Sequence, residues 1–247
     1  MANLVIDIGN TFSKLAIFNN GDIEAQWQVK DLSPVWLQDF LTDKPVENAI
    51  VSSVNADISV FEDLLISATN YIRFTGSSSS RINNHYKTPH TLGPDRYAAV
   101  IGAEALYPEQ NCLVIDAGTC TTYDFIDSDR NYRGGSISPG INMRFKAMHS
   151  FTGRLPLIEQ TASSGVEFGD DTLSSMLSGV QNGVIYEVLG FIGAYSSKWP
   201  DLKVLLCGGD VNFFDTQLKS SIFAHTLKTE PDLVLIGLNE VIYYNND

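Results

Sequence analysis

Near the start of the chain, the segment Asp7-Ile8-Gly9-Asn10-Thr11 combines groups that could hold a phosphate and a metal ion. Gly9 permits a sharp turn in which successive backbone N–H groups point at phosphate oxygens. The two residues after it add side-chain donors, and Lys14 adds a cation. The Asp7 carboxylate suits a hard divalent ion, which prefers oxygen ligands. By itself the segment fits a tight hairpin with a buried carboxylate equally well, and it is not a Walker A sequence.

The segment has a second copy about a hundred residues later in the chain. Leu4–Gly9 recurs as Leu113–Gly118, and each copy continues through a turn into another strand-like run. Two such turns facing one another would form a cleft with two carboxylates, able to clamp a metal–triphosphate from both sides. Thr119, in the second turn, is a candidate phosphate contact or simply a turn-forming hydroxyl.

A third motif, Gly93-Pro94-Asp95-Arg96, precedes a run with helical character. Asp95 at a helix start is well placed to cap the helix, because its charge meets the positive end of the dipole. It could equally serve as the base that accepts a proton from an attacking hydroxyl in phosphoryl transfer. Arg96 offers a planar fork to a carboxylate or phosphate. Two glycine clusters, Gly134–Gly140 and Gly208-Gly209-Asp210, are weaker signals of close approach to a ligand.

The elements that must position these motifs alternate between strands and helices, which predicts an α/β protein. Two copies of one opening hairpin predict two similar domains, which we place at residues 1–105 and 106–247. Helices are expected at the following segments: Pro34–Leu41, Ile58–Ala68, Asp95–Leu106, Ile141–Ser150, Thr172–Trp199, Phe213–Ser221 and Val234–Tyr244.

Composition narrows the class of protein. The chain has 247 residues, 44% of them hydrophobic, and a formal net charge of −13. Its Lys and Arg are scattered, so nucleic acid is not an expected partner. Three cysteines without C-x-x-C spacing suggest neither a disulfide framework nor a zinc site. The N-terminus lacks the features of a signal peptide and no run is long enough to span a bilayer, so we expect a cytoplasmic protein without a membrane partner.

Taken in order, these motifs resemble those of the type III pantothenate kinases, and the resemblance extends from residue 4 to about 210. The Gly-Pro-Asp-Arg segment is its most specific part. The resemblance implies duplicated actin-like (ribonuclease H-like) domains with an interdomain nucleotide cleft. It also implies ATP-dependent phosphorylation of pantothenate to 4'-phosphopantothenate, the first step of coenzyme A biosynthesis.

The resemblance also implies roles for individual residues. Asp95 matches the proton acceptor, and Asp116 matches the ligand of a monovalent cation, either potassium or ammonium. From the repeat alone, Asp116 could instead face the divalent ion, taken to be Mg²⁺. The residues matching the ATP site are Asp7, Ile8, Gly9, Asn10, Thr11, Phe12, Ser13, Lys14 and Thr119. Those matching the pantothenate site are Tyr86, Gly93, Pro94, Asp95, Arg96 and Thr172.

Two other functions remain open at this point: a kinase of another small alcohol on the same fold, and a non-catalytic nucleotide-binding regulator. The resemblance favours a homodimer, in which Thr172 lies near the interface. The apolar stripe on Thr172–Trp199 agrees with this but would also suit a helix buried within one chain.

Overall fold

The structure is a computed structural model that describes residues 2–54, 57–161 and 167–246. Strands and helices alternate along the chain, which confirms the predicted α/β class. The strands are β1 (Ala2–Ile8), β2 (Ser13–Asn19), β3 (Asp22–Val29), β4 (Asn48–Ser53), β5 (Asn70–Arg73), β6 (Asn83–Asn84), β7 (Cys112–Ala117), β8 (Cys120–Ile126), β9 (Asn131–Pro139), β10 (Lys203–Cys207) and β11 (Leu227–Thr229). The helices are α1 (Pro34–Asp43), α2 (Ser59–Ala68), α3 (Pro94–Leu106), α4 (Ile141–Phe151), α5 (Thr172–Leu177), α6 (Gly183–Ser196), α7 (Val211–Leu218) and α8 (Leu233–Asn246).

Contacts between residues group the chain into two units. The first comprises Met1–Pro108, Arg130–Arg133 and Asp232–Asp247, and the second comprises Glu109–Asp129 and Gly134–Pro231. Helix α8 therefore groups with the N-terminal part of the chain. The predicted domain limits, 1–105 and 106–247, stay a prediction.

The first unit contains a five-stranded sheet in the order β3-β2-β1-β4-β5. Strand β1 pairs antiparallel with β2 and parallel with β4. Leu4–Ile6 and Ala49–Val51 are almost completely buried. These near-continuous apolar runs form because strands in the middle of a covered sheet are buried on both faces. The strand ends that carry Asp7 and its neighbours are thus anchored in the core.

Helices α3 and α8 of the first unit cross closely. A Cβ on Gly102 would overlap the backbone of Leu233, and a Cβ on Gly237 would overlap the backbone of Ala98. Away from this crossing, Asn3 Nδ2 donates to Asn239 Oδ1 over 2.9 Å, a buried bond between β1 and α8. The last helix is therefore held by both close backbone contact and a buried amide pair.

The second unit contains β11, β10, β7, β8 and the part of β9 from Gly134 onward, in the sheet order β11-β10-β7-β8-β9. Strand β7 pairs antiparallel with β8 and parallel with β10. The trio β8-β7-β10 thus repeats the pairing of β2-β1-β4, and its antiparallel pair is the one that the duplicated hairpin in the sequence predicts.

The predicted helix Thr172–Trp199 is helical to Ser196 but is interrupted by a π turn at Ser178–Asn182. Asp171 caps its start, because the Asp171 carboxylate accepts from Ser174 N over 2.7 Å. Single π turns within α-helices recur at functional sites. No helix in the described ranges is both long enough and apolar enough to span a lipid bilayer.

Candidate active site

The first hairpin turn holds its tip open to solvent. Ile8 pairs with Ser13, and Gly9 N donates to Phe12 O over 3.2 Å. Asn10, Thr11 and Phe12 between these points are exposed. Because the turn is closed by its own backbone, the N–H groups and side chains at its tip can bind a ligand without disturbing the strands.

Asp7 lies at the end of β1, directly across the ladder from Lys14. Although Asp7 keeps some solvent-accessible surface, burial among its neighbours and the charge of Asp95 raise its pKa to about 6. The hydroxyl of Ser52 and the ammonium of Lys14 act in the opposite direction. Two neighbouring carboxylates with little compensating charge form a site that favours a cation.

Asp95 lies in the first turn of α3, where Gly93 is the N-cap residue and Pro94 is the first helical residue. Its Oδ1 atom accepts from Arg96 N over 2.9 Å. A Cβ on Gly93 would lie only 2.6 Å from that Oδ1 atom, so any other residue at position 93 would displace the carboxylate. The motif therefore holds Asp95 at the positive end of a helix, which stabilises its charged form.

An aromatic cluster orients Arg96. The Arg96 guanidinium is buried and lies over the Tyr86 ring, 5.7 Å from its centroid. Tyr86 stacks on Tyr132 at 6.3 Å between centroids, and Tyr132 contacts Tyr97 at 6.1 Å. A guanidinium fixed by a ring face presents its donors in a defined direction, as recognition of a planar carboxylate requires.

The second hairpin turn lies in the second unit and is one residue shorter. Gly118 N donates to Cys120 O over 2.9 Å, which leaves Thr119 alone at the exposed tip. Asp116 pairs across the ladder with Thr122, whose buried hydroxyl has no hydrogen-bond partner in the part of the chain that the structure describes. Gly208 lies beside Asp116 with φ +92°, and a Cβ there would overlap the Asp116 carboxylate.

Thr172 is the first residue of α5 and is exposed. The capping box of Asp171 and Ser174 fixes the start of this helix and hence the position of Thr172. An exposed hydroxyl on a rigid helix start is suited to contact a molecule that approaches from outside.

Within the first unit, the structure brings together Asp7, Lys14 and Asp95, and separately pairs Tyr86 with Arg96. Asp116, Thr119 and Thr172 belong to the second unit. Sequence reasoning missed several residues that support these groups, because an isolated Ser, Tyr, Arg or Glu carries no local signal. They are Ser52, Tyr132, Arg144 and Glu187.

No cluster of three or more His, Cys, Asp or Glu residues that could hold a metal ion occurs in the part of the chain that the structure describes. Mg²⁺ is commonly held by one or two carboxylates together with substrate phosphates. Asp7, with the charge of Asp95 beside it, is a carboxylate that could take part in such a site. The Thr122 hydroxyl, which lacks a hydrogen-bond partner among the described residues, is an oxygen of the kind that could join Asp116 around a cation.

The duplicated strand pairing and the two Asp-x-Gly turns define an α/β protein with the fold of actin-like ATPases and sugar kinases. A glucokinase from an Antarctic psychrotroph shares this fold with a TM-score of 0.52 and 13% identity, over 98% of this chain and 99% of that one. A conserved Campylobacter jejuni protein described as a Baf family transcriptional activator gives a TM-score of 0.64 and 21% identity, over 98% of both chains. At these identities the likeness concerns the fold alone.

Sequence comparison then identifies the family. A model of the type III pantothenate kinase family matches residues 3–194. A type III pantothenate kinase from Bacteroides fragilis is 42% identical over 245 residues, which cover 99% of this chain and 98% of the relative. The chain belongs to the type III pantothenate kinase family.

Proposed function

We propose that the protein transfers the γ-phosphoryl group of ATP to the hydroxyl of pantothenate, which yields 4'-phosphopantothenate and begins coenzyme A biosynthesis. The family membership gives the reaction. Within the molecule, the main support for this reaction is that two carboxylates, Asp7 and Asp95, lie close to each other. Asp7 precedes the exposed first hairpin turn, and Asp95 lies in the first turn of α3.

Asp95 is the proposed base, which accepts the proton from the pantothenate hydroxyl as that oxygen attacks. Phosphoryl transfer depends mainly on positioning and charge stabilisation, so a carboxylate of ordinary basicity is sufficient. Gly93 and Pro94 fix where this carboxylate stands. Arg96, held by Tyr86, binds the carboxylate of pantothenate through its planar fork.

The ATP phosphates are proposed to bind the open tip of the first turn. Its backbone N–H groups and the Lys14 ammonium offset the negative charge of the phosphates. Thr119, at the exposed tip of the second hairpin turn, is a further proposed contact of the nucleotide. The proposed ATP-binding residues are Asp7, Ile8, Gly9, Asn10, Thr11, Phe12, Ser13, Lys14 and Thr119.

Two cations belong to the proposal. Asp7 would hold Mg²⁺ together with the phosphates, because burial and the charge of Asp95 raise its pKa and a bound cation would stabilise the charged carboxylate. Asp116 would hold potassium or ammonium, with the Thr122 hydroxyl as a second oxygen ligand. Bound cations lower the repulsion between the phosphates and these carboxylates. Asp7 and Asp116 orient their oxygens from rigid strand ends.

We further propose a cytoplasmic homodimer in which Thr172 contacts pantothenate from near the interface, with no nucleic-acid or membrane partner. The net charge of −13 supports the exclusion of nucleic acid. The exposed position of Thr172 supports a contact outside its own helix.

The test is steady-state phosphorylation of pantothenate, with Asp95→Asn and the matched control Asp39→Asn on the exposed face of α1. Loss of the base is expected to lower kcat by about 10²-fold to 10⁴-fold, with normal folding by circular dichroism. Asp39→Asn should match the wild type. A folded Asp95→Asn protein with near-normal kcat would disprove the assignment of the base. An acceptor screen that favours another alcohol over pantothenate would point to the alternative kinase.

A further inference from the structure

The side chain of Arg144 donates three hydrogen bonds within the second unit. Its Nε atom donates to Pro139 O over 2.8 Å, and its Nη2 atom donates to Ser138 Oγ over 3.0 Å. The same Nη2 atom donates to Glu187 Oε2 over 2.6 Å. Arg144 on α4 thereby ties the end of β9 to α6.

Glu187 continues the network to the strand that leaves the second hairpin turn. Tyr123 on β8 donates its hydroxyl proton to Glu187 Oε1 over 2.8 Å, and its ring stacks on Phe191 at 3.9 Å. Burial of Glu187 would raise its pKa, but the bonds from Arg144 and Tyr123 outweigh this and lower it. The carboxylate is thus charged and has a partner on each oxygen, which makes these bonds strong ones.

Gly140 closes the network at the turn itself. Its N–H donates to Thr119 O over 3.1 Å, and a Cβ at this position would overlap Gly118 O. The segment Pro139–Gly140 therefore lies directly against the Gly118–Thr119 turn. A continuous path runs from this turn along β8 to Tyr123, through Glu187 and Arg144, and back to the turn.

We propose that Arg144 is a positioning residue for ATP. It acts by holding Pro139 and Gly140 against the Gly118–Thr119 turn. This inference rests on the proposed function, in which Thr119 contacts the nucleotide. A residue that touches no substrate can still set the position of one that does, and small misplacements of a binding group are costly.

The geometry requires arginine rather than any cation. Two different nitrogens of the guanidinium serve acceptors on two different elements, Pro139 O on β9 and Glu187 on α6. The single ammonium of a lysine cannot reproduce this fork. Arg144→Lys is therefore expected to behave more like Arg144→Met than like the wild type.

The experiment compares Arg144→Met, Arg144→Lys and Glu187→Gln with Arg154→Met, which removes an exposed arginine just beyond α4. Isothermal titration calorimetry gives the Kd of the non-hydrolysable analogue AMPPNP, and steady-state assays give KM for ATP and for pantothenate. We expect both Kd and ATP KM to rise by about 10-fold to 100-fold in the Arg144 variants. Pantothenate KM should change by less than about twofold, because Tyr86 and Arg96 of the proposed pantothenate site lie in the first unit and Thr172 is not bonded to the Arg144 side chain or to Glu187.

A folded Arg144→Met protein with wild-type Kd and ATP KM would overturn the inference, and so would equal rises in KM for both substrates. If Arg144→Met does not fold, Glu187→Gln and Ser138→Ala each remove part of the network. The Kd of AMPPNP and the KM values of these two variants then test the inference. If the wild type binds AMPPNP but does not phosphorylate pantothenate, the proposed function is wrong. The comparison of AMPPNP Kd between the wild type and the Arg144 variants still tests the inference. If the wild type binds no AMPPNP, both fail.

Discussion

Asp7 should destabilise the folded protein at neutral pH, because it must carry a charge where the fold disfavours one. Its pKa is about 6 in the folded protein against 3.8 ordinarily. The folded state therefore holds the Asp7 proton more tightly than the unfolded state does. The contribution of Asp7 to stability is therefore most favourable below pH 3.8, falls as the pH rises from 3.8 to 6, and is least favourable above 6. The difference of 6 − 3.8, about 2.2 pKa units, corresponds to about 3 kcal/mol at pH 8.

Asp7→Asn removes this cost, so the variant is expected to be more stable than the wild type by about 3 kcal/mol at pH 8. The gain should shrink to about 1 kcal/mol at pH 4.5, where the folded wild-type residue is mostly protonated. Thermal unfolding of a chain of this size should show a rise in Tm of roughly 6–12 °C at pH 8. Kinase activity should be lost, because Asp7 is proposed to organise the phosphates and Mg²⁺.

The comparison of the stability gain at pH 4.5 and pH 8 is an internal control for the experiment. A stability gain that is the same at pH 4.5 and pH 8, or a variant less stable than the wild type at pH 8, would refute the electrostatic reasoning. Asp95→Asn offers a second check, because removal of the neighbouring charge should lower the Asp7 pKa. The pH midpoint of the Asp7 effect should then move to a lower value.

Three further predictions concern the supporting residues. Tyr132→Leu should raise pantothenate KM with little effect on ATP KM, whereas Tyr132→Phe, which keeps the ring beside Tyr86, should stay near the wild type; steady-state kinetics decides this. Asn239→Ala should lower the free energy of unfolding by about 1–3 kcal/mol in denaturant titrations, because the buried Asn3 amide loses its acceptor. Gly208→Ala should weaken activation by potassium more than it weakens AMPPNP binding, because the new Cβ displaces the adjacent carboxylate; an unchanged potassium titration would contradict this.

Local features of the fold were predictable from the sequence. Both hairpins were predictable, because each consists of an apolar strand, a glycine turn and a second strand that are adjacent along the chain. The start of α3 beside Pro94 was also predictable, because proline is favoured at the first position of a helix and disfavoured in its interior. The π turn within Thr172–Ser196 was not predictable, because the hydrogen-bond spacing inside a helix depends on how the helix packs.

The positions of the supporting residues depended on contacts between distant parts of the chain. Arg144 and Glu187 are 43 residues apart in sequence, and Asn3 and Asn239 are 236 apart. Neither pair has a pattern that periodicity or a short motif could reveal. Likewise, the closeness of Asp95 to Asp7 and its effect on the Asp7 pKa exist only once α3 has docked near the end of β1.

The sequence by itself determined the residue types that can perform phosphoryl transfer, their order along the chain and the family to which the chain belongs. These are local properties, since a turn such as Asp7–Thr11 is built by its own residues. Only the tertiary structure decided how these groups are tuned and held: a carboxylate with a pKa of about 6, an arginine fixed over an aromatic ring, and a turn supported through Arg144. Burial, charge proximity and side-chain orientation arise when distant segments pack together, and so they become visible only in three dimensions.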